Sequence, residues 1–121
     1  MSIEECYQEM GGNYADVCTR LPSPRLIHRF VLKFLEDKSF ETLCSAMESG
    51  SREAAFRAAH TLKGVCANLS FTRLLESSSA LTELLRPETD AIPEGASALM
   101  EGVCSDYQLT VSAIRRYQDE A

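Results

Sequence analysis

Apolar residues recur along this chain at intervals of three and four, and no stretch keeps up the strict alternation that a half-buried strand needs. The pattern predicts an all-α fold. Ser2 and Glu5 have capping-box spacing and open a short helix that Gly11-Gly12 stops, and Asn13 can cap a second short helix ended by Pro22. Ser23-Pro24 is a further start signal, a capping hydroxyl followed by proline at the first helical position. Beyond it, Leu26, Ile27, Phe30, Val31, Phe34 and Leu35 form one apolar stripe, and Phe40, Leu43, Cys44 and Met47 form another. The two stripes are out of phase, yet no Gly or Pro separates them, so the sequence favours one long helix from about Pro24 to Ser49, bent near Asp37 to Ser39, over two helices.

Gly50-Ser51 ends that segment and caps the next, which runs from Arg52 to about Leu69. Ser70 is expected to cap the helix after it, whose inner face carries Leu74, Leu75, Ser78, Leu81 and Leu85 as far as Arg86. The stretch PETDAIPEG reads as a loop, and a last helix follows with Leu99, Val103, Tyr107, Val111, Ile114 and Tyr117 on one side. Each apolar stripe needs a partner. The expected architecture is therefore one domain over residues 1–121, an antiparallel four-helix bundle at 24–117 preceded by short N-terminal helices within 1–22.

Composition narrows the function. The net charge of −6 argues against nucleic-acid binding and against adhesion to an anionic membrane, and no apolar run is long enough to span a bilayer. The opening MSIEECYQEM has glutamates where a secretory signal would be basic, so a cytoplasmic location is expected. Five cysteines, Cys6, Cys18, Cys44, Cys66 and Cys104, without a C-x-x-C pair read as reduced thiols rather than disulfides or a zinc site. Neither His28 nor His60 has a glutamate three residues before it, which removes the di-iron bundle enzymes. No metal site is expected.

Chemistry concentrates in REAAFRAAHTLKGVCANL, residues 52–69. On a helical wheel at about 100° per residue, Ala55, Ala58, Leu62, Val65, Cys66 and Leu69 gather opposite His60. His60 should then face solvent with Glu53, Phe56, Arg57, Lys63, Gly64 and Ala67 around it. Helical side chains lean toward the N-terminus, so the residue one turn later is the one that would cover the imidazole. That residue is Gly64, and Ala67 follows on the same line. A glycine inside a helix costs about 0.8 to 1 kcal/mol relative to alanine, and open access to His60 would account for it. Lys63 lies close enough to reach an anion carried on the ring, and Arg57 adds to the local field. From Arg52 to Arg73 there are four basic residues and one acid in an otherwise acidic chain, a reversal suited to an acidic partner surface that Phe56, Arg52, Arg57 and Lys63 could contact. An exposed neutral imidazole can attack phosphorus, but the chain offers no nucleotide loop, hydrolase motif or Mg²⁺-binding carboxylates to catalyse that step. A carrier, not an enzyme, is expected.

The segment Ala58 to Ser70, AAHTLKGVCANLS, resembles the signature of histidine-containing phosphotransfer (HPt) domains, in which an alanine precedes the active histidine, x-L-K-G follows it, and small residues lead to a closing leucine-glycine. The likeness extends more weakly from about Leu26 to Leu85. It implies a four-helix bundle with His60 as the phospho-accepting residue, Lys63 near the phosphoryl group and Gly64 as the small residue that keeps the site open. It further implies a phosphorelay intermediate in two-component signalling, with response-regulator receiver domains and a hybrid sensor kinase as partners. On this resemblance the receivers are expected to supply Mg²⁺ and the catalytic groups, and the carrier itself is expected to need no cofactor. A monomer is expected, since one site must meet different partners in turn. Two positions depart from the family pattern: Ser70 replaces the usual glycine and Ser51 the common aspartate cap. Two other readings stay open, a non-catalytic adaptor that binds receivers and a kinase-associated phospho-accepting domain acting in trans. His28, among Arg25, Arg29 and bulky apolar residues, reads as structural.

Overall fold

A computed structural model describes residues 1–120, which form seven α-helices and, among the described residues, no strand. They are α1 (Ile3–Met10), α2 (Tyr14–Arg20), α3 (Pro24–Lys33), α4 (Ser39–Ser49), α5 (Arg52–Leu69), α6 (Thr72–Leu85) and α7 (Ala96–Glu120). Polar caps set most of these boundaries. Ser2 and Glu5 exchange both capping-box hydrogen bonds, and the side chains of Asn13, Ser23 and Ser51 each accept a backbone N–H three residues on. Gly50 ends α4 at φ 76°, a left-handed conformation that glycine adopts without a Cβ penalty.

The single bent helix expected over residues 24–49 is instead two helices. After Lys33 the chain tightens into one 3-10 turn, Phe34–Glu36, and Asp37 then leaves the helical region at ψ 134°. The Asp37 carboxylate accepts the N–H of Ser39 at 3.2 Å and its hydroxyl as well, so an acidic side chain performs the stop and restart that no Gly or Pro was present to signal. The break lets both out-of-phase stripes reach the core: Ile27, Val31 and Phe34 from one side, Leu43 and Ala46 from the other. Phe30 is the exception in its stripe, at 38% exposure.

Ser70 also behaves differently from expectation. It does not cap α6, whose first turn has no side-chain cap; it terminates α5 at φ 57° and ψ 40°. This is the left-handed position where the family pattern has glycine, and occupying it with a side chain costs about 1 to 2 kcal/mol. Its buried hydroxyl donates to Asp16 at 2.7 Å and accepts from Arg20, which ties the α5–α6 turn to α2.

Helices α4 to α7 each pack against the next, α1 lies on α7, and a stacked Phe40–Tyr107 pair with ring centroids 3.8 Å apart joins α4 to α7. Leu43, Leu62, Leu74, Leu81 and Leu85 are fully buried between them. Each such side chain contributes about 1.5 to 3 kcal/mol of burial. Tyr7 and Phe34 pack their rings on Phe71, and the Tyr7 hydroxyl donates to the Leu69 carbonyl at 2.7 Å, which fixes the C-terminal end of α5. No described helix is long and apolar enough to cross a membrane.

Candidate functional site

Helix α5 is held along its whole length, with Ala55, Ala58, Ala59, Leu62, Cys66 and Leu69 buried against its neighbours. The small residues among them let α4 and α6 approach closely, and the opposite face is left to solvent. His60 is exposed at the middle of that face, together with Arg57, Thr61, Gly64 and Ala67. A Cβ built on Gly64 would meet nothing within 4 Å, so packing gives no reason for a glycine there. The turn C-terminal to His60 is therefore left uncovered.

One side of the imidazole is furnished by aromatic and charged groups. The half-buried Phe56 ring lies nearly parallel to that of His60, with an interplanar angle of 17° and centroids 6.0 Å apart. Arg86, from the end of α6, places its guanidinium carbon 5.2 Å from the Phe56 centroid, within cation–π range. The same guanidinium donates two hydrogen bonds to Glu83, at 2.7 and 3.1 Å. These bonds hold the Glu83 carboxyl below the ordinary carboxylate value, and the charges of Lys63 and His60 act on it in the same direction.

The residues anticipated from the sequence are thus partly assembled. His60, Lys63, Gly64, Ala67 and Phe56 share one surface of α5. Arg57 lies on the neighbouring turn but is paired with Glu53 at 3.3 Å. Arg52 is drawn away from the imidazole: its guanidinium donates to the carbonyls of Leu85 at 2.7 Å and Thr89 at 3.0 Å, so it pins the loop after α6. Glu83 and Arg86 were missed. Their i, i+3 spacing at a helix end was visible in the sequence, but their arrival over Phe56 depends on how α5 and α6 pack. His28 is structural, with Nδ1 hydrogen-bonded to the Tyr117 hydroxyl and the two rings edge to face. No group of three potential metal ligands occurs among the described residues.

Chemically, this surface presents one exposed imidazole with the Lys63 and Arg86 cations on the Phe56 side of the helix face. No curated protein and no solved structure gives a significant match to the chain. The Hpt domain model matches residues 33–116, from the end of α3 through most of α7, and the match takes in His60, Lys63 and Gly64. Because it covers well over half of the sequence, the chain belongs to the Hpt domain family, whose role is phosphotransfer in two-component signalling.

Proposed function

We propose that this protein is a phosphorelay intermediate that accepts a phosphoryl group on His60 from a receiver-domain aspartate and donates it to the aspartate of another receiver. The observation that carries this reading is the exposed imidazole beneath an open turn at Gly64, with Lys63 beside it. In the accepting step, an imidazole nitrogen lone pair forms the P–N bond as the P–O bond of the aspartyl phosphate breaks. The electron pair leaves with the receiver's carboxylate. Lys63 steadies the added charge on the transferred oxygens. We assign Mg²⁺ and the catalytic groups to the receiver, which makes this chain a carrier rather than an enzyme.

On this reading α4 to α7 form an antiparallel four-helix bundle that works in the cytoplasm as a monomer, with α1 to α3 packed around it. Receivers of a hybrid sensor kinase and of a response regulator dock in turn over Phe56, Arg57 and Lys63. His60→Gln should abolish acid-labile labelling by a phosphorylated receiver and leave the helical circular dichroism signal unchanged. Labelling that persists in this variant refutes the assignment. Incubation with the kinase and ATP alone separates the relay from a kinase-associated domain, because the relay carrier acquires label only when a phosphorylated receiver is also present.

A further inference from the structure

The chain places a carboxylate on the same surface as the imidazole that the relay reading makes the phosphoryl acceptor. Glu83 is on α6, in the fork of Arg86, and Arg86 lies on the same Phe56 ring that faces His60. All four groups are on one surface where α5 and α6 pack side by side. A site built only to hold a phosphoryl dianion has no use for an acid there. Arg86, whose guanidinium lies on the Phe56 ring, is already paired with it.

We infer that Glu83 is a counter-charge that disfavours the phosphorylated state of His60 and so keeps the phosphoryl group at high transfer potential. The inference rests on the relay reading above. It has two parts with the same sign. Phosphorylation adds net negative charge at the imidazole, and a fixed anion nearby repels it. Glu83 also occupies the guanidinium of Arg86, which would otherwise be free to bind the phosphoryl oxygens. A carrier that must release its group to a second receiver gains from this arrangement, since a phosphoryl held too firmly is not passed on. Glu83 is thus a positioning residue that acts through charge on the reacting group and through Arg86.

The test uses the full chain with phosphoramidate as donor. The imidazole nitrogen lone pair forms the new P–N bond as the P–N bond of zwitterionic phosphoramidate breaks, and ammonia leaves with the bonding pair. At fixed phosphoramidate and ammonium concentrations, intact mass and ³¹P spectra give the equilibrium ratio of phosphorylated to free His60. Glu83→Gln should raise that ratio roughly three- to tenfold, the effect of one unit charge across a solvent-exposed site. The difference should shrink between about 0.05 M and about 1 M salt, which a merely structural role would not produce. Glu101→Gln, an exposed acid on α7, should change nothing. An unchanged ratio in Glu83→Gln, or a salt-independent change, overturns the counter-charge and leaves the relay reading standing. A wild-type chain that takes up no phosphoryl group on His60 overturns both.

Discussion

Replacing Gly64 by alanine should make this protein more stable and a poorer phosphoryl acceptor. Gly64 lies inside α5 with ordinary helical backbone, and a Cβ added there would meet no atom within 4 Å. No overlap offsets the gain in helix propensity, so the folded state should be favoured by about 0.8 to 1 kcal/mol. For a domain of this length that raises the melting temperature by about 3 to 5 °C. Gly102, inside α7, is also surrounded by open space, which makes Gly102→Ala a matched control: a similar gain in stability with no change in transfer. Gly64→Gln lays a longer side chain toward the imidazole and should slow phosphorylation by a phosphorylated receiver by about tenfold or more, at little cost to stability. Thermal unfolding followed at the helical band and a time course of acid-labile phosphate measure the two effects separately. A lowered melting temperature in Gly64→Ala, or transfer by Gly64→Gln at the wild-type rate, would refute a glycine kept for access to His60.

The turn at Ser70 offers a second pair of variants: Ser70→Ala keeps the left-handed strain and loses the bonds to Asp16 and Arg20, whereas Ser70→Gly loses the bonds and relieves the strain. Ser70→Gly should therefore be more stable than Ser70→Ala by about 1 to 2 kcal/mol in denaturant titrations, and equal stabilities would contradict the assigned backbone geometry. Asp16 is held below its ordinary pKa of 3.8, first by the hydrogen bond from Arg20 and then by that from Ser70. Its contribution to stability is therefore complete above that value and is lost as the pH falls through the lower folded one; acid unfolding curves of wild type and Asp16→Asn should differ above pH 4 and converge below it. Among the thiols, burial pushes Cys6 up to about 12 and raises Cys66 as well, while Cys18 is exposed. A disulfide reagent should consume Cys18 first and reach Cys6 and Cys66 only on unfolding. Leu62→Ala, at a fully buried position under the His60 helix, should cost about 2 to 5 kcal/mol, and a loss below about 1 kcal/mol would show that α5 is not packed as described.

Much of this architecture was legible because local chemistry and tertiary packing agree. The capping residues Ser2, Asn13, Ser23 and Ser51 and the stop at Gly50 act as the sequence implies, and the wheel of α5 put His60, Gly64 and Ala67 on the solvent side. Failures came where one side chain could serve two purposes. Asp37 stands in a run without Gly or Pro, and only the need to bury both flanking stripes makes its carboxylate a helix stop. Ser70 has the composition of an N-cap, but the chain needs a left-handed residue there and Asp16, remote in sequence, claims its hydroxyl. Arg52 counted as positive charge near His60, yet the carbonyls of Leu85 and Thr89 take it up. For Ser70 and Arg52 the deciding partner lies on another element, which periodicity and spacing do not encode.

His60 stands on the outer face of a helix whose backbone is fixed at both ends, by the Ser51 cap and by the turn at Ser70. Among the described residues no helix or loop covers the ring, which is left exposed on a helix packed firmly on its other side. On the relay reading, such a site has no means of telling an incoming phosphoryl group from an outgoing one. Direction in the pathway would then come from which receiver arrives carrying phosphate and which arrives empty, and the fold's task is to offer every arrival the same fixed imidazole.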